Sequence, residues 1–193
     1  MEILGKILGN PARVKLMRLF ILNKGVIFKR KDIISRSRVS SSMVSRELKL
    51  LTSVGFIKKR LSSWSLNPAF KYKKEFESLL VGSDTFDREV ISGNFKKVGR
   101  VKLLVISGIF IKNKDSRVDL LIVGDKMKRA KIEEGIKRLE AEIGMELKYA
   151  IFETKEFLYR LNMYDKLVRD MIDFPHEVVF QAKELSTQSL KKA

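Results

Sequence analysis

Apolar residues recur at helical spacing through the first third of the chain and in short continuous runs through its second half. Asn10 followed by Pro11 predicts a helix start: the amide caps, and proline lacks an N–H that would be unpaired there anyway. Val14, Met17, Leu19, Phe20 and Ile21 give this helix a broad apolar face, and Asn23-Lys24-Gly25 ends it. A second short helix is expected over 29–37, with Ile33 and Ile34 inward. Arg38-Val39 would form a turn and Ser40 would cap a third helix, whose buried stripe is Val44, Leu48 and Leu51. Gly55 ends that helix. Two extended runs follow, 56–61 and 64–67, joined by Ser62-Ser63. Helix, tight turn, helix and hairpin make helix-turn-helix grammar.

Residues 68–100 read as a connector. Pro68 closes the hairpin, 71–80 suits a basic helix with Phe76, Leu79 and Leu80 as its apolar side, and 81–84 is a break. A further helix over 86–98, with Gly93 inside it, could pair with its twin in a dimer. Beyond it the runs 101–106, 118–123 and 147–152 read as strands. Between them 127–143 is an amphipathic helix with Ile132, Ile136, Leu139 and Ile143 inward, stopped by Gly144. Thr154 caps a helix carrying Phe157, Leu158 and Leu161; a last helix spans about 163–172, and Val178-Val179-Phe180 suggests one more strand. The tail from Ser186 is polar. The expected organisation is 1–70, a DNA-binding domain; 71–100, a helical connector; 101–182, an α/β domain; and 183–193, a tail. The fold class is α/β, or α+β taken over both domains.

Charge adds a partner to this picture. The net formal charge is +17. Residues 1–80 hold 18 Lys+Arg against 5 Asp+Glu, whereas residues 81–193 hold 22 against 18. The positive field therefore concentrates on the helical half, and a polyanion is its natural partner. The stripe of the third helix leaves Ser41, Ser42, Ser45, Arg46 and Lys49 on its other face, with Ser40 at its start. Short hydroxyls near the N-terminal end, then longer cations, suit base edges and phosphates in a major groove. Lys58, Lys59 and Arg60 on the hairpin suit phosphates alongside. Trp64 reads as a packing residue rather than a stacking platform.

The stretch Gly9-Asn10-Pro11-Ala12-Arg13-Val14-Lys15-Leu16-Met17-Arg18-Leu19-Phe20 resembles the first helix of winged-helix transcriptional regulators, the arsenic-repressor-like group among them. Val44-Ser45-Arg46-Glu47-Leu48-Lys49-Leu50-Leu51 and Val54-Gly55-Phe56-Ile57 resemble that family's recognition helix and the approach to its wing. The resemblance implies double-stranded DNA as partner and a homodimer reading two half-sites. It does not extend to metal sensing: there is no cysteine and one histidine.

The second half resembles a minimal nucleotidyltransferase fold over about 86–180. Its active members place a Gly-Ser pair after the first strand and two aspartates, one residue apart, on the next. Here Gly108 is followed by Ile109, and in Ser116-Arg117-Val118-Asp119 the first aspartate position holds Arg117. On a strand, residues i and i+2 share a face about 7 Å apart and can share a two-metal site. Arg117 puts a cation where one ligand should be; Asp115, four residues from Asp119, is about 13 Å away along an ideal strand. The third family carboxylate would fall near Glu146 or Lys148. Nearby Lys112 or Lys114 could still attract nucleotide weakly. The resemblance thus implies a degenerate site with no catalytic residue, no metal and no cofactor, whose bland reading for Asp119 is a strand-end aspartate bonding a backbone amide. His176 is a loop residue.

No apolar run approaches the roughly 20 residues of a membrane span, and the start lacks a secretory pattern, so a cytoplasmic protein is expected. The expectation is a sequence-specific regulator of transcription whose second domain serves dimerisation, partner docking or ligand sensing. The rivals are an active nucleotidyltransferase or a toxin–antitoxin component, each holding nucleic acid through the basic half, and an architectural DNA binder without regulated targets.

Overall fold

Asn10 adopts extended backbone and its Oδ1 accepts the Ala12 amide at 2.9 Å, so the first expected helix begins at Pro11. The computed structural model describes residues 3–81, 88–113 and 115–185 of a mixed α/β chain. The expected break at 81–84, the start of the expected 86–98 helix, Lys114 and the tail from Ser186 lie wholly or partly outside those residues. The chain divides into two compact units: Met1–Thr85 with Lys137–Glu146, and Phe86–Ile136 with Leu147–Ala193.

The first unit runs α1 (Ile3–Ile7), α2 (Pro11–Leu22), β1 (Phe28–Lys29), α3 (Arg30–Ser37), α4 (Ser41–Ser53), β2 (Ile57–Arg60), β3 (Ser63–Leu66) and α5 (Lys73–Leu80). α1 and β1 were not anticipated from the sequence. β1 is two residues long and adds to the hairpin, giving an antiparallel sheet in the order β1-β3-β2. The core joins Leu16, Phe20 and Ile33 to Val44, Leu48 and Leu51 and to Phe56 and Leu66. α5 packs on this core: Phe76 meets Phe56 edge-on at 6.1 Å between ring centres, and Leu80 is buried. Leu79, expected on the apolar side, faces solvent.

Arg18 lies at the centre of this unit and is 1% exposed. Its Nε donates to the Leu80 carbonyl at 2.8 Å and one terminal nitrogen to the Glu142 carbonyl at 3.0 Å. Leu80 ends α5, and Glu142 is in the last turn of α7 (Arg129–Ile143). One buried cation therefore satisfies carbonyls at two helix C-termini, where the backbone dipole is negative and partners are scarce. Gly144 has φ +93°, and a Cβ there would sit 2.6 Å from the Arg18 carbonyl carbon, so only glycine allows this approach.

The second unit contains α6 (Arg88–Gly93), β4 (Arg100–Ile106), β5 (Leu120–Asp125), the first part of α7, β6 (Tyr149–Phe152), α8 (Thr154–Asn162), α9 (Lys166–Asp173) and β7 (Glu177–Gln181). The sheet order is β6-β5-β4-β7; β5 and β6 are parallel, the other pairs antiparallel. Leu120, Leu121, Ile122 and Val123 are all buried, which is why this central strand reads as a continuous apolar run. α8 and α9 send Phe157, Leu161, Val168 and Met171 against Leu103, Val105, Leu121 and Val123. Two helix starts differ from expectation. Thr154 is the first residue of α8 rather than its cap, and its amide is met at 3.3 Å by the Asp125 carboxylate. α9 starts only after Tyr164 (φ +56°), where Asp165 Oδ1 accepts the Leu167 and Val168 amides. α6 is six residues long and covers only part of the expected 86–98 helix; Ile91, Phe95 and Val98 are buried, whereas Val90 is exposed.

Candidate nucleic-acid interface

α3 ends at Ser37, and Arg38 turns the chain in the left-handed region, φ +54°. Val39 is buried beneath this turn, and α4 departs from Ser41. Ser40 occupies the cap position, but its hydroxyl makes no capping bond; it lies 3.4 Å from Ser42 Oγ. α4 buries Val44, Leu48 and Leu51 as expected, and with them Glu47, a carboxylate that the expected stripe did not include.

Glu47 is 0% exposed and is held by the start of α2. Arg13 Nε donates to its Oε2 at 2.8 Å and Asn10 Nδ2 to its Oε1 at 3.1 Å. Arg13 also donates to the Leu8 carbonyl at 2.7 Å. The only acid of α4 is thereby withdrawn from the outer face. Ser41, Ser42, Ser45, Arg46 and Lys49 are exposed there. Among the described residues neither Arg46 nor Lys49 is paired with an acid.

Arg30, which sequence reasoning passed over, organises the start of α4. Its guanidinium donates to the Ser41 carbonyl at 3.0 Å, to Ser41 Oγ at 2.9 Å and to Ser45 Oγ. Two of the four serines expected to meet DNA are therefore already engaged inside the protein, and Arg30 itself is exposed beside them. Its position at the first residue of a helix gave no signal for this role; the contact depends on how α3 crosses α4.

The hairpin separates its three cations. Lys58 pairs with Ser65, Lys59 with Trp64 and Arg60 with Ser63. Strand alternation puts Lys59 on the face of buried Ile57, with Lys58 and Arg60 on the other. Lys59 Nζ lies 5.7 Å from the centre of the Trp64 ring. A groove results between α4 and the hairpin, lined by Ser45, Lys49, Thr52, Lys59 and Trp64 and bordered by Arg30. At the hairpin tip Leu61 has φ +53° and is 96% exposed.

In the second unit the motif residues take structural roles. Arg117 and Asp119 precede β5, which starts at Leu120, two residues later than expected. Asp119 uses all of its polar groups. Its amide donates to the Lys148 carbonyl at 2.6 Å, and its carbonyl accepts the Ser107 amide at 2.9 Å. Its carboxylate accepts the Ile109 amide at 3.0 Å and the Lys148 amide at 2.9 Å. Gly108 has φ +56°, and a Cβ there would collide with Asp119 Oδ1. Arg117 forms an ion pair with Asp170 at 2.9 Å, and Ser116 Oγ donates to the Val118 carbonyl at 2.7 Å. Glu146 belongs to the first unit and pairs there with Arg36 at 2.6 Å. Among the described residues no three His, Cys, Asp or Glu side chains are grouped so as to hold a metal ion. His176 Nδ1 lies 2.9 Å from the Phe174 carbonyl, in the loop before β7.

No protein-family model, curated protein or solved structure matches this chain. Among the described residues no helix is long and apolar enough to cross a membrane.

Proposed function

We propose that the chain is a regulator of transcription whose first unit binds double-stranded DNA as a winged helix-turn-helix, with α4 in the major groove and the β2–β3 hairpin as the wing. The observation that carries this reading is the sorting of charge on α4: Glu47 is buried against Arg13, while Arg46 and Lys49 stand exposed without an acidic partner. A helix presenting hydroxyls and then cations, flanked by a basic hairpin, matches what a phosphate-lined groove requires. Base reading falls to Ser42, Arg46 and Lys49, because Ser41 and Ser45 are held by Arg30. Lys58, Lys59 and Arg60 meet phosphates, and Arg30 and Lys31 extend that contact at the start of α3. The protein acts in the cytoplasm as a homodimer on paired half-sites.

The second unit, in this proposal, performs no nucleotidyl transfer and serves docking or assembly. The consumption of both Asp119 oxygens by backbone amides and the Arg117–Asp170 ion pair support that view over an active transferase.

The test is selection of bound sequences from a random duplex pool, followed by binding measurements on the selected site and on random duplex. Arg46→Ala is expected to weaken the selected site by tenfold or more and random duplex much less, since one good base contact is worth about 1–3 kcal/mol. Lys59→Ala is expected to weaken both alike. Absence of any enriched sequence, with no effect of Arg46→Ala, would remove the reading.

A further inference from the structure

The second unit carries a basic surface of its own, which its modest overall charge conceals. Residues 96–100 and 126–131 contain seven cations, Lys96, Lys97, Arg100, Lys126, Lys128, Arg129 and Lys131, and no acid. The fold brings the two segments together. Arg100 is paired with Asp125 across the β4–β5 ladder, and the Lys128 amide donates to the Val98 carbonyl at 2.7 Å. Gly99 has φ +149°, and a Cβ there would lie 2.7 Å from the Lys126 carbonyl oxygen. All seven cations are exposed.

Of the adjoining acids, Asp125 is engaged by Lys102, outside the patch, at 3.0 Å, whereas Glu133 pairs with Arg129 at 3.0 Å and offsets one of the seven charges. Lys128, Arg129 and Lys131 also stand where α7 begins, and its first turn has no acid. Cations beside the positive end of a helix dipole oppose folding instead of assisting it. Such a local conflict with stability is what a surface built for an anionic partner shows. The patch lies at the opposite end of the sheet from Gly108 and Asp119, because β4 spans seven residues, about 20 Å, between them.

We propose that this end of the β4–β5 sheet is a second nucleic-acid surface, which grips the phosphodiester backbone of duplex DNA without reading bases. Five of the seven cations are lysines, which bind phosphate as point charges. Among the described residues 91–148 no large apolar side chain is exposed, so the patch offers no group to insert into a lipid surface. That observation favours a nucleic acid over a membrane. The surface is independent of α4 and would act even if α4 reads no sequence.

The experiment uses the full chain with Lys97, Lys126, Lys128 and Lys131 replaced by alanine, and by arginine as the charge-retaining control. Binding to random-sequence duplex is measured across a salt series, with thermal melting to verify the fold. The alanine variant is expected to lose about tenfold or more in affinity at moderate salt. The slope of log K against log salt should fall in magnitude by about 0.9 for each phosphate contact removed. The arginine variant should bind as the parent does. If the fourfold alanine variant does not fold, Lys126→Gln with Lys128→Gln serves instead, with a proportionately smaller change. Unchanged affinity and slope would overturn the proposal. So would loss of binding to phosphatidylserine vesicles with duplex binding intact. Arg46→Ala, measured in parallel on duplex selected from a random pool, tells the two surfaces apart: if the α4 reading fails, that variant is silent there while the lysine variant still loses affinity on random duplex.

Discussion

Arg13 at the start of α2 donates to the buried carboxylate of Glu47 on α4 across 2.8 Å, a polar link between two helices that otherwise meet through apolar side chains. Arg13 keeps partial access to water, whereas the Glu47 side chain is 1% exposed. Removing the cation leaves the buried carboxylate with the Asn10 amide but no compensating charge, and breaking a buried pair in this way costs about 3–5 kcal/mol. Arg13→Met is therefore expected to lower the denaturant midpoint strongly. Arg13→Met with Glu47→Leu should recover much of the loss, because no unpaired charge remains. Equal destabilisation in the single and double variants, measured by urea unfolding, would contradict this account.

Asp119 links the loop after β4 to the residues before β6 through the Ile109 and Lys148 amides. Asp119→Ala is expected to leave both amides without that acceptor and to destabilise the second unit by about 1–3 kcal/mol. Gly108→Ala should be at least as harmful, since its Cβ would meet the same carboxylate and its φ is positive. With Mg²⁺ or Mn²⁺ and each nucleoside triphosphate, the parent protein is expected to transfer no nucleotide. Turnover abolished by Asp119→Ala without loss of thermal stability would assign the residue to catalysis instead.

Asp165 has its carboxyl pKa lowered, first by the Val168 amide that it accepts, then by the Leu167 amide and the Arg160 guanidinium, against opposing desolvation. A carboxyl whose folded pKa lies below its unfolded value stabilises fully above the unfolded value, near 4, and loses that contribution as pH falls through the folded value. Asp165→Ala is thus expected to melt below the parent at neutral pH, with the gap narrowing as the solution is acidified below about pH 4. A gap independent of pH would mean that the charge on Asp165 contributes nothing to the cap.

The pattern of the sequence by itself determined the helices and strands that bury one continuous face. α2, α4, the hairpin, β4, β5 and α7 all lie within a few residues of their expected places. Asn10-Pro11 marked a start because a cap and a proline act within one turn of chain. The basic character of the first unit was equally legible, since charge adds up whatever the fold. Glu47 was not legible: the stripe was read from the apolar residues Val44, Leu48 and Leu51, and the cation that makes the burial of Glu47 possible lies 34 residues away. Tertiary structure alone decided the rest. It chose Arg18 to cap two helix ends, Arg30 to hold Ser41 and Ser45, and Asp119 to spend its carboxylate on backbone amides. It also gathered residues 96–100 and 126–131 into one basic surface. These relationships depend on which groups meet across long stretches of chain, and periodicity, which reports only the face a residue occupies, carries no information about the partner it finds there.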